Sequence, residues 1–368
     1  MKPPAIFYVF RRPTEKEIRL SAIGKLPEDN FYAYTRLKKT FNLSTTDAPF
    51  KKNISFFLQA LVDRITPFFI DLGFSIIPAL ILLPYIKKAD IVFATTDTYG
   101  LPLGLYKLMR LYDKPLIINT IGLYDGLIRR KNIFALFMAK KILLCTNHII
   151  SGGSMDECNR LSALLDIPKN KFTFIPFGID TSFFYPRAER ETDEILAVGA
   201  DPNRDWQTYQ KIAMQLPNEH FRFVSNKTVA LPMPKNVLFE YNLTFDQIRD
   251  RFWTAKIVLI LSKMNHHFAG QSTAFRAMSC GKPVILTQTP GTEEYMLKNR
   301  KHCIFVPVGN VESTIEEIKW LNGSRKRRLE MGYNASKLFK DLYSLENYSK
   351  KLARTFNKVL RENAIQSI

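Results

Sequence analysis

Residues 256–288 read KIVLILSKMNHHFAGQSTAFRAMSCGKPVILTQ, and this stretch decides the fold. Lys256–Leu261 is a short apolar run with the look of a buried strand, and Ser262 to Gly270 is a polar loop. Gln271-Ser272-Thr273 opens a helix whose apolar positions Ala274, Phe275, Ala277 and Met278 share one face, and Gly281 before Pro283 stops it. Val284–Leu286 then reads as the next strand. Strand, helix and strand at this spacing make a parallel crossover unit. Gly270 and the hydroxyl residues Ser272 and Thr273 fall at a helix N-terminus on the carboxyl edge of such a sheet, where free N–H groups and the helix dipole favour a phosphate or diphosphate.

Outward from this unit the same beat repeats. Ile195–Val198, Phe221–Val224, Val237–Phe239, Ile257–Leu261, Val284–Leu286 and Ile304–Val306 are strand candidates in the second half of the chain. Ala5–Phe10, Ile91–Thr95, Leu116–Asn119, His148–Ile150 and Phe172–Ile175 are their counterparts in the first half. Helix-length segments separate most of them, so two Rossmann-like domains with parallel sheets are expected. Pro176 to Pro186, followed by the charged stretch Arg187 to Glu194, reads as the linker. The expected domains are 1–180 and 181–345, with a final helix at about 346–368 able to pack back on the first.

Composition narrows the class. The chain has 368 residues, 46% hydrophobic, enough to bury two cores and too apolar for general disorder. Cys145, Cys158, Cys280 and Cys303 form no CxxC and no Cys/His cluster, which excludes a disulfide scaffold and a zinc site and suits a reducing compartment. Lys and Arg number 53 against 34 Asp and Glu, so 53 − 34 = +19. The excess is even, since residues 1–180 hold 25 bases and 15 acids and residues 181–368 hold 28 and 19. No basic tail exists, and no nucleic-acid module or aromatic-basic interleaving is present, so a nucleic-acid partner is not expected despite the charge.

Two apolar segments bear on localisation. Ala5–Phe10 is too short for a signal-peptide core and reads as a strand. Ile54 to Ile86 is strongly apolar, but Asp63, Arg64, Asp71, Pro67, Pro78 and Pro84 interrupt every window of the roughly 20 residues that a membrane span needs. It reads either as core helices or as a monotopic surface dipping into the head-group layer, and the neighbouring Lys51-Lys52 and Lys87-Lys88 favour the second.

Phe275-Arg276-Ala277-Met278-Ser279-Cys280-Gly281-Lys282-Pro283-Val284-Ile285 resembles the LEAMACGKPVI segment of family 4 glycosyltransferases, retaining enzymes of GT-B architecture that use nucleotide sugars. Phe174-Ile175-Pro176-Phe177-Gly178-Ile179-Asp180 with Phe184 and Pro186 is similar to that family's interdomain IPNGVD…F.P. Leu196-Ala197-Val198-Gly199 is similar to the strand opening its donor domain, Pro290-Gly291-Thr292-Glu293-Glu294-Tyr295 to its GG..E turn, and Glu330 to Ser336 with Tyr343-Ser344 to its C-terminal helices. The resemblance covers about residues 172–350; the first 170 share only the rhythm of strands and helices.

The resemblance implies an α/β fold of two Rossmann-like domains with parallel sheets facing across a cleft, and retaining transfer of a sugar from a nucleotide-diphosphate sugar, metal-independent and without a cofactor. The chain lacks a DxD pair, in keeping with the absence of a metal site. It implies that Gly270, Gln271, Ser272 and Thr273 cradle the donor phosphates and that Arg204 neutralises charge on the leaving diphosphate; the bland alternative is a salt bridge from Arg204 to Asp201 or Asp205. Arg276, Lys227, Tyr241, Asn242, Gly291 and Thr292 complete the expected donor side. Asp125 is the second catalytic candidate, against a purely turn-forming role before Gly126. Arg11, Arg12, Asp97 and Asn119 are expected on the acceptor side. His266 and His267 flank the phosphate loop and are expected to face solvent.

Departures from the family pattern are equally plain. Its acidic pair falls here at Phe268 and Arg276, its strand-end arginine at Ala200, and its N-domain histidine in the loop Asn119 to Asp125, which has none. The expected partners are a nucleotide sugar, an anionic membrane surface and a lipid-linked or polysaccharide acceptor, at the cytoplasmic face of the membrane. The alternatives are a catalytically inactive nucleotide-sugar-binding protein and a sugar-nucleotide epimerase of the same fold.

Overall fold

The computed structural model describes residues 2–50, 54–70 and 72–366. Lys51, Lys52 and Asp71, which entered the reading of the apolar segment, lie outside the described residues.

The chain divides into two compact units, Met1–Gly178 together with Glu346–Ile368, and Ile179–Leu345. The N-terminal unit is built on six strands, β1 (Ala5–Val9), β2 (Asn42–Ser44), β3 (Ile91–Ala94), β4 (Leu116–Thr120), β5 (His148–Ser151) and β6 (Phe172–Phe174), in the order β2-β1-β3-β4-β5-β6. All pairings are parallel, with Tyr8 opposite Phe93, Val92 opposite Leu116 and Ile118 opposite Ile149. The central strands are apolar runs because helices cover both faces: every residue of β3 and β4 is buried. The C-terminal helix Leu345–Gln366 belongs to this unit from Glu346 on, and its Phe356 packs edge-on against Tyr8 and Phe93.

The second unit repeats the design with β7 (Glu194–Val198), β8 (His220–Ser225), β9 (Val237–Tyr241), β10 (Ile257–Ile260), β11 (Val284–Thr287) and β12 (Ile304–Val306), all parallel, in the order β12-β11-β10-β7-β8-β9. The expectation of an α/β chain with two parallel Rossmann-like sheets is met.

The apolar segment after Ile54 forms the helix Ile54–Ile65, a single 3-10 turn Thr66–Phe68, and the short helices Ile76–Ile81 and Leu83–Ile86. Pro67, Pro78 and Pro84 sit in the first turns of their helices or within them, as ring sterics demand. No helix among the described residues is long and apolar enough to cross a membrane.

Candidate functional site

In the second unit the chain leaves β7 toward β8 and β9 on one side, while β10, β11 and β12 lie on the other. The carboxyl ends of β7 and β10 therefore flank a topological switch point, the place where open α/β sheets bind ligands. Residues 199–205 follow β7 and residues 261–270 follow β10. The two loops are stitched together: the Lys263 N–H donates to the Asn203 carbonyl at 2.9 Å, the Asp205 N–H to the Leu261 carbonyl at 3.2 Å, and Arg204 forms a bridge with Ser262.

Arg204 is the centre of this arrangement. Its side chain is 3% exposed, and its Nη2 donates to the Val198 carbonyl at 2.8 Å, while Nε and Nη1 are buried with no hydrogen-bond partner. The salt bridge weighed as the alternative does not form. Asp201 accepts from the Asn203 N–H at 2.7 Å, and Asp205 caps the helix Trp206–Gln215 through the Thr208 N–H and hydroxyl. Both carboxylates are thus engaged in local turns, as short Asp side chains favour. A buried guanidinium with two of its nitrogens unpaired carries a free-energy cost that an anionic acceptor would offset.

Two glycines make room for that guanidinium. A Cβ on Gly199 would stand 2.6 Å from Nε, and one on Gly270 would stand 2.5 Å from Nη1. Both backbones occupy positive φ, +146° and +82°, which a side chain disfavours independently of the contact. Gly270 is also the N-cap of the helix Gln271–Ser279 and supplies no side chain to cap it. Helix geometry leaves the first-turn N–H groups of Ser272 and Thr273 without carbonyl acceptors inside the helix. Guanidinium and helix N-terminus converge, and both favour negative charge.

Tyr209 and Asn265, to which no role was assigned from sequence, hold this geometry together with Gln271. The Tyr209 hydroxyl donates to the Leu259 carbonyl at 3.0 Å and accepts from the Leu261 N–H at 2.7 Å, pinning the end of β10. Burial pushes its phenol pKa up, with Arg204 pulling the other way. Buried Asn265 spans the loop, donating to the Ser262 hydroxyl and the Lys263 carbonyl and accepting from the Ala269 N–H. The Gln271 amide reaches the Tyr295 hydroxyl.

The remaining donor-side candidates separate. Lys227 is exposed, and its N–H donates to the Ser225 hydroxyl at 3.0 Å; Asn242, in the left-handed region, donates its N–H to the Ser225 carbonyl at 3.2 Å. Tyr241 is half-exposed and stacks on Phe239. These three share the carboxyl ends of β8 and β9, the same edge as Arg204. Gly291 packs against the His267–Phe268 backbone. The Thr292 hydroxyl is committed to a capping box, accepting from the Thr289 N–H at 2.9 Å and donating to its carbonyl. Arg276 is buried on the inner side of its helix with its guanidinium 5.1 Å from the ring centroids of both Phe184 and Phe245. Phe268 packs edge-on against Phe275 and Tyr295. His267 is buried and His266 half-buried, so the pair does not face solvent as expected.

The N-terminal unit has its own switch point, between β1 and β3. Arg11 and Arg12 follow β1 on the exposed surface, with Arg12 paired to Glu17, and Asp97 opens the helix Asp97–Leu108 after β3. These groups surround the half-buried Tyr32, whose phenol is pushed up to about 12 by desolvation, while Arg11 lowers it and Asp97 raises it. Asp97 is buried and accepts from the Ile121 N–H at 2.9 Å. Asn119, on β4, donates to the Thr95 carbonyl at 3.0 Å and buries its Oδ1 without a partner. Asp125 is buried in the first turn of the helix Leu123–Arg130, so it is a helical residue and not the turn former weighed above. No group of three His, Cys, Asp or Glu side chains placed to hold a metal ion occurs among the described residues.

Residues 219–338 match the profile of a family described as Glycosyl transferases group 1. The fold of the whole chain is similar to that of the sucrose-phosphate synthase from Thermosynechococcus elongatus, with a TM-score of 0.74 at 12% identity, covering 98% of this chain and 100% of that one. Anabaena HepE in complex with UDP and glucose is similar with a TM-score of 0.70 at 12% identity, over 97% and 100% of the two chains. A glycosyltransferase from Rickettsia africae is similar with a TM-score of 0.62 at 12% identity, over 98% and 99%. No curated protein matches the chain in sequence. The chain thus has the GT-B fold that these structures share.

Proposed function

We propose that this chain is a retaining glycosyltransferase that moves a sugar from a nucleotide-diphosphate sugar to a membrane-associated acceptor, lipid-linked or polysaccharide, at the cytoplasmic face of the membrane. The observation that carries this reading is the buried guanidinium of Arg204, with Nε and Nη1 unpaired, set against the Gly270 cap of the helix Gln271–Ser279. A diphosphate supplies the oxygens that both features lack. The group 1 profile over residues 219–338 and the similarity to a fold seen with UDP and UDP-glucose support a nucleotide sugar as the source of that diphosphate.

In this reading the protein contributes electrostatics and positioning. Negative charge grows on the diphosphate as the glycosidic bond breaks, and Arg204 with the first-turn N–H groups of Ser272 and Thr273 stabilises it without reorganisation. Such charge neutralisation by protein groups supports a metal-independent reaction. Lys227, Tyr241 and Asn242 lie on the same sheet edge and are assigned to the nucleotide; Arg11, Arg12, Asp97 and Asn119 are assigned to the acceptor.

One observation favours a second reading, a protein that binds a nucleotide sugar without turning it over. Phe268 and Arg276, where the resemblance implies acids, are occupied in aromatic packing. Release of free nucleotide from a UDP-, GDP- or ADP-sugar by the purified protein, with or without a glycan acceptor, supports the enzyme. Binding of such a sugar with no nucleotide released under any acceptor condition supports the second reading.

A further inference from the structure

The N-terminal unit carries a broad apolar surface exposed to solvent. On the helix Ile54–Ile65, Phe57 is 75% and Leu61 57% exposed, and Phe68 in the next turn is 76% exposed. On the helix Ile133–Cys145, Phe134 is 61% and Phe137 54% exposed. The Phe69 and Phe134 rings meet at 6.2 Å, so the two segments form one continuous surface. Soluble monomers seldom expose a contiguous cluster of this kind.

Its place in the fold matters as much as its chemistry. The Ser75 N–H donates to the Thr98 carbonyl at 2.9 Å, which puts the end of the first segment beside the start of the helix Asp97–Leu108. The helix Ile133–Cys145 follows the helix Leu123–Arg130, which opens directly after β4. The end of the first segment and the start of the second therefore lie toward the carboxyl edge of the N-terminal sheet, the edge that carries Asp97 and Asn119.

Cations border the surface. Arg64, Arg130, Lys131 and Lys141 are exposed beside it, and the Lys141 ammonium lies 5.5 Å from the Phe137 ring centroid. Asp63 is the acid on the helix Ile54–Ile65, and the helix Ile133–Cys145 has none. Gln59 is turned inward, donating to the Phe74 carbonyl and Asp63 and accepting from the Ile77 N–H. A protein interface of ordinary size needs a hydrogen bond every 100–200 Å² or so, whereas a lipid surface asks only for apolar insertion under a basic collar.

We propose that this lip docks the chain on a bilayer containing anionic lipid, with Leu61, Phe68, Phe134 and Phe137 inserted at the head-group boundary and Arg64, Lys131 and Lys141 on the lipid phosphates. Its further consequence, that the acceptor is taken from that membrane at the adjacent sheet edge, rests on the glycosyltransferase reading.

The test is co-flotation of the full chain with phosphatidylcholine vesicles and with vesicles of phosphatidylcholine and phosphatidylglycerol at 70:30, alongside sedimentation velocity and a nucleotide-sugar thermal shift. The wild type is expected to float at least tenfold better with the anionic vesicles. Phe68→Ser/Phe134→Ser/Phe137→Ser is expected to lose flotation on both at least tenfold, with an unchanged denaturation midpoint because these side chains are exposed. Arg64→Glu/Lys131→Glu/Lys141→Glu is expected to remove the preference for anionic lipid. Wild type that does not float, or a serine variant that floats equally well, overturns the docking surface; so does a dimer of the wild type that the serine substitutions dissociate. Loss of flotation in the variants with the nucleotide-sugar shift retained supports the surface, while flotation without any nucleotide-sugar shift overturns the glycosyltransferase reading and leaves the surface standing.

Discussion

The guanidinium of Arg204 occupies the space that a side chain on Gly270 would need, with Nη1 only 2.5 Å from where that Cβ would stand. Two residues 66 positions apart in sequence are thereby one device: the glycine exists as a glycine because the arginine is there, and the arginine is aimed at the helix start because the glycine lets it in.

Replacing Gly270 by alanine is expected to break both halves. A left-handed backbone with a side chain costs about 1–2 kcal/mol, and the guanidinium is forced out of line. Differential scanning calorimetry should show a small loss of stability, and the nucleotide-sugar-induced rise in midpoint should disappear.

Arg204→Ala separates function from stability in the opposite sense. It removes a buried cation with two unpaired donors, so the free protein is expected to keep its midpoint or gain. Ligand stabilisation by mass action, about 2.7 kcal/mol at a hundredfold excess over Kd, should vanish. Arg204→Lys is expected to recover only part of it, because an ammonium lacks the planar fork. A large drop in the midpoint of the free alanine variant would show a structural arginine instead.

Tyr209→Phe removes both hydrogen bonds at the end of β10 and leaves the Leu261 N–H buried without an acceptor. The expected cost is about 1–3 kcal/mol, read from denaturant unfolding. Because the bond it breaks is stitched to the Asp205 N–H through Leu261, a weaker nucleotide-sugar shift is expected as well.

His148 on β5 gives a pH signature. Burial, aided by Lys358 and Lys171, lowers its pKa from 6.5 to about 4, and its Nε2 lies 2.8 Å from the Thr173 hydroxyl. Between those two values the unfolded chain takes up a proton that the folded chain refuses. Stability is therefore full above pH 6.5 and falls as the pH drops toward 4, by roughly 3 kcal/mol in all. His148→Gln should flatten the dependence of the midpoint on pH across that window relative to wild type.

Much of the fold was legible because buried parallel strands are written as uninterrupted apolar runs. The exception is β2, where only Leu43 is buried and the pairing of Ala5 with Asn42 has no local signal. The junction between the loop after β10 and the helix Gln271–Ser279 was legible from Gly270 and the residues after it. What sequence could not show was how neighbours are spent. Asp201 and Asp205 stand beside Arg204 in the chain, yet a turn and a helix cap claim both. Arg276 finds Phe184 from 92 residues away, and Thr292 closes a local capping box that a Thr-x-x-Thr pattern hints at only weakly. The half-paired guanidinium, with Nε and Nη1 left over, is a three-dimensional fact, made by two strand-end loops that meet only once the sheet is assembled.

The most direct test of the central claim is isothermal titration of UDP-, GDP- and ADP-sugars into wild type and Arg204→Ala. At least one of these donors is expected to bind wild type with micromolar affinity and to bind the variant a hundredfold or more weakly. Equal affinity in both proteins, or no binding of any nucleotide-diphosphate sugar to wild type, would contradict the account.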